Sequence, residues 1–219
     1  MKRLADGLHL LWGFPPFALN VYLMGDVIVD SGSRHAAGRI LRQVRGHPVS
    51  AMALTHAHPD HQGSCHWVCE TLGIPLWCGA PDAEAVENPA IMQERMPINW
   101  LTRLAGPLLS GPPHKVTRQL REGDDVAGFT VLETPGHCAG HVSFWRAADR
   151  VLVLGDVLAN FPLAGLSEPP LLFSPDPAEN RRSARRVAAL EPALVCFGHG
   201  PPLSDTRRFL QFVGKLAAD

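Results

Sequence analysis

The chain has 219 residues, of which 46% are hydrophobic, and it carries 20 basic and 21 acidic side chains. That length and apolar content are sufficient to bury a sizeable core. The formal net charge of −1 argues against a general polyanion-binding role, so nucleic acid is not an expected partner.

The N-terminal stretch and the apolar runs contain no signal for a membrane. Two basic residues precede only the short run from Leu8 to Phe14, which His9 interrupts and no small-residue cleavage pattern follows. No run reaches the ~18 apolar residues that a bilayer-spanning helix needs. The five cysteines form no C-x-x-C pair, which fits a reducing compartment. We therefore expect a cytoplasmic protein with no membrane partner.

Short apolar runs recur along the chain, each ended by Gly, Pro, Asp or His, and they predict buried strands. The runs are Asn20 to Leu23, Val27 to Asp30, Ala51 to Leu54, Leu76 to Cys78, Thr130 to Glu133, Val142 to Trp145, Val151 to Leu154 and Leu194 to Phe197. Helical patterns lie between them. Residues 40–44 and 65–72 form apolar stripes that are each closed by a glycine, and a third helix is predicted with Asp176 as N-cap and Pro177 at its first position.

The alternation of strands and helices predicts an α/β fold whose pattern runs twice. The first series leads to a His-rich loop, and a second series from about Thr130 carries further His and Asp residues at strand ends. The segment 88–109 stands apart, because it is helix-prone but interrupted by Pro97. We predict one domain over residues 1–219, with two sheets covered by outer helices and a short helical insertion at about 88–109.

The stretch ALTHAHPDH, which ends at His61, places four candidate metal ligands in one short loop. His56 and His58 follow a predicted strand, and residues i and i+2 of an extended chain point the same way, so one ion could contact both imidazoles. Asp60 and His61 then turn toward an adjacent position. This mixture of imidazole nitrogen and carboxylate oxygen suits zinc and other borderline divalent ions.

Three more candidate ligands lie at later strand ends, each beside a glycine. They are His137 in PGH, Asp156 in GD and His199 in GHG. The other histidines are not expected to be ligands. His141 is expected to make a structural hydrogen bond, His66 lies on the helix predicted after the loop, and the remaining ones lack a motif, namely His9, His35, His47 and His114.

The order H-x-H-x-D-H, PGH, GD and GHG resembles the metallo-β-lactamase-fold hydrolases, and within them the glyoxalase II-like (hydroxyacylglutathione hydrolase-like) branch. The resemblance covers nearly the whole chain, from Asp30 through GHGPPL. It implies a four-layer αββα sandwich with the site along one edge. It also implies two divalent metal ions, with zinc preferred and iron or manganese also compatible.

The same resemblance implies a role for each motif residue. His56, His58 and His137 would hold the first ion, Asp60, His61 and His199 the second, and Asp156 would bridge them. The implied mechanism uses a metal-bound hydroxide on a carbonyl or phosphoryl centre, with Asp60 as the catalytic residue that orients the nucleophile. Matching family members use an acid at the position of Asp30 to support the metal-binding loop, and an ordinary turn cap is the alternative.

The fold does not determine the substrate. True metallo-β-lactamases lack the bridging aspartate, and glyoxalase II proper adds a C-terminal helical domain, whereas one helix from Thr206 to Ala218 is predicted here. Acyl-homoserine lactonases of the superfamily carry a tyrosine shortly after that aspartate, where this chain reads GDVLANFPLAG. We therefore expect hydrolysis of an ester, thioester or lactone of a small, largely apolar acyl substrate.

Three alternatives remain open at this point. A persulfide dioxygenase would use a single iron held by the first ligand set, and His199 in its GHG context argues for two metals instead. A phosphodiesterase or nuclease of the superfamily usually adds a basic surface or a second domain. A non-catalytic metal-binding module would normally close its site with four ligands.

Apolar loops are the candidates for the substrate wall. The loop WGFPPFALN resembles the hairpin loop that overhangs the metals in this fold, and it carries Phe14 and Phe17. Trp100 in the inserted segment is the candidate for the facing wall. A small-molecule substrate is thus the expected partner, and a homodimer is compatible with the sequence.

Overall fold

Two β-sheets form the centre of the fold in the computed structural model, which describes residues 1–95, 106 and 108–217. Within that part of the chain, the first sheet has seven strands in sequential order. They are β1 (Lys2–Ala5), β2 (Leu8–Leu10), β3 (Tyr22–Met24), β4 (Val27–Val29), β5 (Ala51–Ala53), β6 (Leu76–Gly79) and β7 (Val116–Leu120). Strands β1 to β4 are antiparallel, and β4 to β7 are parallel.

The second sheet comes from the later part of the chain. Its strands are β8 (Asp125–Val126), β9 (Phe129–Glu133), β10 (Val142–Arg146), β11 (Val151–Gly155) and β14 (Leu194–Phe197), in the spatial order β14, β11, β10, β9, β8. Only β11 and β14 are a parallel pair in this sheet. A separate hairpin joins β12 (Ala159–Phe161) to β13 (Gly165–Ser167).

Helices cover the outer faces. Those with both ends in the described part of the chain are α1 (Ala37–Val44), α2 (Pro59–Gln62), α3 (Cys65–Leu72), α4 (Ala83–Glu87), α5 (Pro89–Arg95), α6 (Pro177–Ala188) and α7 (Thr206–Val213), with 3-10 turns at Ala80–Asp82 and Leu171–Phe173. None of the described helices is long and apolar enough to cross a bilayer.

Alternation along the strands divides the core into layers, because successive side chains of a strand point to opposite faces. In β3 and β4, Leu23 and Ile28 pack with Ile40 of α1, whereas their neighbours Tyr22 and Val27 pack between the two sheets. A third apolar cluster joins the outer face of the second sheet to α6 and α7. Three cores between four layers make the αββα sandwich that the motif order implied.

All eight predicted strands occur, with shifts of one or two residues at their ends. The sequence patterns missed β1, β2, β7, β8, β12 and β13. Of these, β1 and β7 mix charged and apolar side chains at the exposed edges of the first sheet, and the other four are only two or three residues long. The predicted cap of α6 is present, since the backbone N–H of Glu179 donates to Asp176 Oδ1 at 2.9 Å.

The helical insertion begins with α5, which starts at Pro89. Residues 96–105, including Trp100, lie outside the described part of the chain. At the C-terminus, α7 ends at Val213, which is earlier than the predicted end at Ala218.

Candidate metal centre

The candidate ligands lie where strands end on one edge of the sandwich. His56 and His58 follow β5, Asp156 follows β11, and His199 follows β14. Strands β4 and β5 are parallel, so they end at one edge of the first sheet, and β11 and β14 likewise end at one edge of the second. The closeness of the residues that follow β5, β11 and β14 shows that these two edges lie side by side. His137 arrives from the turn between β9 and β10.

The structure brings all seven predicted ligand residues together. Their ligand atoms form three overlapping groups in which every pair of atoms lies within 4.8 Å: His56, His58 and His137; His56, His61 and Asp156; and Asp60, His61 and His199. The first and third groups are the two ligand sets that the motif order implied.

Asp156 lies between the two sets. Its Oδ2 is 3.7 Å from Nε2 of His137, which belongs to the first set. The same oxygen is 3.4 Å from Nε2 of His61 and 3.0 Å from Nε2 of His199, which belong to the second. One carboxylate therefore faces both sets of ligands.

Several buried polar atoms at the centre have no hydrogen-bond partner among the described residues. They are Nε2 of His56, His61 and His137, together with Oδ1 of Asp156. Each buried polar group left unpaired costs about 1–3 kcal/mol, so a fold does not keep four in one place without a ligand for them. Imidazole nitrogens and a carboxylate oxygen are a donor set that fits divalent transition-metal ions.

Hydrogen bonds at the far side of the rings aim the free nitrogens inward. Nδ1 of His61 donates to Asp30 Oδ2 at 2.9 Å, and Nδ1 of His199 donates to the carbonyl of Ala18 at 2.6 Å. Nδ1 of His137 lies 2.9 Å from Ser174 Oγ. Such outer partners fix the tautomer and orientation of a metal-binding histidine.

His56 is oriented through Thr55. The Thr55 hydroxyl donates to the carboxylate of Asp30 at 2.9 Å and lies 3.0 Å from Nδ1 of His56. Because the hydroxyl has one proton and gives it to the carboxylate, it accepts from His56 Nδ1–H. The lone pair of His56 Nε2 is then directed toward the cluster.

Without a cation, the two ligand sets differ in their electrostatics. Burial lowers the pKa of His56 and of His137 well below the usual range, so both imidazoles are neutral and able to bind a metal. Burial opposes protonation of His199 as well, but Asp156 and Asp60 outweigh it and raise the pKa of His199 to about 10. His61 and His199 hold the pKa of Asp60 below its usual value against the effect of burial.

Asp30 supports the ligand loop from behind. Its Oδ1 accepts from the backbone N–H of Thr55 at 2.8 Å, and its Oδ2 accepts from Nδ1 of His61. Asp30 is buried, and its backbone φ angle is 63°. This is a left-handed conformation that Asp tolerates better than most residues. These contacts fit a residue that supports the candidate metal-binding loop, as in matching family members, better than they fit an ordinary turn cap.

Sequence reasoning missed Asp82, which holds two ligand loops together. Its carboxylate accepts from the backbone N–H of Ala57 at 3.0 Å and from that of Gly140 at 2.8 Å. Asp82 follows β6 as Asp30 follows β4, and β5 lies between those strands. Buried carboxylates after neighbouring parallel strands were the available signal.

Two further residues can be placed at the centre. His141 Nε2 accepts from the backbone N–H of Asp156 at 3.0 Å, which matches the expected structural hydrogen bond, and burial lowers its pKa to about 3. The glycine before His199 is needed for space, because a Cβ on Gly198 would lie 2.0 Å from Asp156 Oδ1.

An open cavity of about 430 Å³ lies over the clustered ligands. Its described polar lining consists of ligand residues, namely His58, Asp60, His137, Asp156 and His199. The remainder is apolar and comes mainly from Ala18, Leu19, Leu109, Ala159, Phe161, Pro169, Pro170 and Phe173. Among the described lining residues there is no Lys or Arg.

Neither Phe14 nor Phe17 lines this cavity, so their predicted part in the substrate wall needs correction. Phe14 is 93% exposed and borders a separate, smaller cavity. Phe17 packs against the core between the sheets. The loop does reach the cavity, but through Ala18 and Leu19, because the chain reverses at Phe17, where φ is 62. Trp100 lies outside the described residues.

Comparison with known proteins gives concordant results. The family model of the metallo-beta-lactamase superfamily matches residues 15–199. The chain is 27% identical to the probable metallo-hydrolase YflN of Bacillus subtilis, over 91% of this chain and 86% of that protein. It is 31% identical to a hydroxyacylglutathione hydrolase of Cupriavidus metallidurans, over 74% of this chain but only 54% of that enzyme.

Solved structures resemble the chain over nearly its whole length. BLEG-1, a B3 metallo-beta-lactamase, superposes with a TM-score of 0.73 at 26% identity and covers 94% of this chain and 99% of its own. TTHA1623 in a di-iron-bound form superposes with a TM-score of 0.63 at 27% identity and covers 95% of this chain and 97% of its own. The family model matches most of the chain, and the motif residues and the αββα sandwich agree with it. This chain therefore belongs to the metallo-beta-lactamase superfamily.

Proposed function

We propose that the protein is a two-metal hydrolase that cleaves an ester, thioester or lactone of a small, largely apolar acyl substrate. The observation that carries the two-metal part is the position of Asp156, whose Oδ2 faces His137 of one ligand set and His61 and His199 of the other. A carboxylate between two ligand sets is the arrangement a bridged pair of ions requires.

The donor set suggests how the ions would be held. His56, His58 and His137 would bind one ion, Asp60, His61 and His199 the other, and Asp156 both. When bound, two divalent ions supply Lewis-acid polarisation of the substrate oxygen and lower the pKa of water. Iron and manganese suit this mixed nitrogen and oxygen set as zinc does.

Asp60 is the residue best placed to handle a proton. Its carboxylate lines the cavity, and Oδ2 lies 3.3 Å from Nε2 of His199. Because His61 and His199 lower its pKa, the group is ionised at neutral pH and accepts a hydrogen bond from an attacking water. From the same position it could pass that proton to the leaving group.

The cavity favours an uncharged acyl group. Phe161, Phe173 and Leu19 provide apolar surface beside the ligands, and the described lining offers no Lys or Arg for a phosphate or for carboxylates. The phosphodiesterase alternative is therefore disfavoured. Relatives named metallo-hydrolase and hydroxyacylglutathione hydrolase support hydrolysis, and the second name supports a thioester among the candidate substrates.

The decisive experiment combines metal analysis with a substrate panel. Protein purified without chelator should contain two transition-metal ions per chain and should hydrolyse aryl esters, thioesters or lactones in preference to a phosphodiester. A β-lactam belongs in the panel because of the likeness to BLEG-1. A single iron per chain with oxygen consumption on a persulfide would replace the hydrolase by the dioxygenase alternative. Bound metal without turnover on any substrate would favour the non-catalytic module.

A further inference from the structure

A second cluster of ligand-type side chains lies outside the cavity. His66 and Glu70 are one turn apart on α3, and His114 precedes β7. Nδ1 of His114 is 3.3 Å from Nδ1 of His66 and 3.7 Å from Oε1 of Glu70. The three ligand atoms all lie within 4.8 Å of one another. Both histidines lack a sequence motif, and only the fold brings them together.

The spacing suits a small cation. Zinc binds nitrogen and oxygen at about 2.1 Å, so two ligand atoms of a tetrahedral site are separated by about 3.4 Å. The observed separations of 3.3 and 3.7 Å are close to that value. We propose that His66, Glu70 and His114 form an auxiliary site for a divalent transition-metal ion, with zinc as the reference ion and water completing the coordination.

Hydrogen bonding among the three side chains explains the cluster less well. Two Nδ1 atoms at 3.3 Å make a long contact that needs one ring as donor and the other as acceptor, and two protonated rings would repel. Burial and the neighbouring His66 lower the pKa of His114, which leaves its lone pair available. Glu70 is 64% exposed, so an ion could enter and leave from solvent.

The auxiliary site would fasten part of the cavity wall. Residues 108–114 lead from the cavity to His114, and Leu109 of this segment lines the cavity. The segment is closely packed: the Arg34 N–H donates to the Leu109 carbonyl at 2.8 Å, and a Cβ on Gly111 would lie 2.1 Å from the Gly63 carbonyl oxygen. An ion held by His114 and α3 would link this wall to the helix that follows the main ligand loop.

Equilibrium dialysis of the whole chain against zinc tests the proposal. Wild-type protein should bind one more zinc ion per chain than His66→Ala or His114→Ala, whatever number the main centre holds. Glu70→Gln should weaken that extra ion without abolishing it, and its exposed position leaves folding intact. His47→Ala is the matched control, because the rings of His9 and His47 are 6.5 Å apart and belong to no three-ligand cluster among the described residues.

A second measurement separates this site from the main centre and from any activity. Zinc should protect His66 and His114 of wild-type protein from diethyl pyrocarbonate, read peptide by peptide by mass spectrometry, and protection should be lost in Glu70→Gln at low zinc. Equal zinc content in wild type and both alanine variants, with circular dichroism unchanged, would overturn the proposal. So would zinc-independent labelling of both histidines.

Discussion

The carboxylate of Asp30 lies 2.9 Å from Nδ1 of His61, and the same carboxylate binds the backbone N–H of Thr55. One buried acid therefore sets both the orientation of a candidate metal ligand and the start of the loop that carries the others. This contact joins the end of β4 to the ligand loop after β5.

Asp30→Asn should weaken metal binding while keeping the fold. Asn tolerates the left-handed backbone at this position, but its amide lacks one of the two carboxylate acceptors that serve Thr55 and His61. Loss of an outer partner of this kind lowers metal affinity by about 10- to 100-fold. Competition with a chromophoric chelator measures the effect. The control is Asp149→Asn, which removes only a partly exposed pair with Arg146. Unchanged affinity would remove Asp30 from the metal centre.

Asp156→Ala should lose metal and hydrolysis together. The carboxylate faces both ligand sets, so its removal would take a ligand from each of the two proposed ions. Metal content per folded chain and turnover on an aryl ester should fall in parallel while the circular dichroism spectrum is retained. Unfolding of the variant with normal metal content in the folded fraction would identify Asp156 as a structural residue instead.

Phe161→Ala and Phe173→Ala should penalise long acyl chains selectively. Each substitution removes apolar wall from the cavity. Loss of roughly 50 Å² of contact at ~25 cal/mol per Å² corresponds to about 1.3 kcal/mol, or roughly a tenfold rise in KM. Since the contact is similar in ground and transition states, kcat should change little.

The wall prediction is checked with a long-chain and an acetyl ester of the same alcohol. Phe14→Ala is the matched control, because Phe14 is 93% exposed and does not line this cavity. An equal rise in KM for both esters would contradict an acyl wall at Phe161 and Phe173. A selective rise for the long-chain ester in Phe14→Ala would instead place the acyl wall in the loop around Phe14.

Chelator-treated protein should become less stable as the pH rises from about 6.5 to about 10. In the cation-free centre Asp156 and Asp60 raise the pKa of His199 from 6.5 to about 10 against the effect of burial. A raised folded-state pKa stabilises the fold fully below the unfolded value, and that stabilisation is lost as the pH rises through the folded value. His199 contributes a slope of at most about 1.4 kcal/mol per pH unit, and His61, whose pKa Asp156 and Asp30 also raise against the effect of burial, adds to it. Thermal unfolding with chelator present measures the slope, which should be smaller in His199→Gln. An equal slope in His199→Gln would contradict the assignment.

Sequence by itself determined most of the longer strands and predicted the candidate ligand residues and their order. Buried strands such as Val151–Gly155 are continuous apolar runs, and the metal-binding motifs stand beside glycines at strand ends, so both signals are local in the chain. The cap at Asp176 was equally local. Edge strands such as β7 were not predicted, because one of their faces is polar and they contain no continuous apolar run.

Tertiary structure decided which side chains make contacts with residues far away in the sequence. Asp82 binds the backbone N–H groups of Ala57 and Gly140, which lie 25 and 58 residues away in the chain, and its place after a strand does not by itself identify these partners. The loop sequence predicts a substrate wall at Phe14 and Phe17, but after the left-handed turn at Phe17 the chain brings Ala18 and Leu19 to the cavity instead. His66 and His114, separated by 48 residues, meet only because the segment before β7 returns beside α3. Hydrophobic periodicity encodes which face of an element is buried, whereas contacts between loops depend on the packing of the whole sandwich.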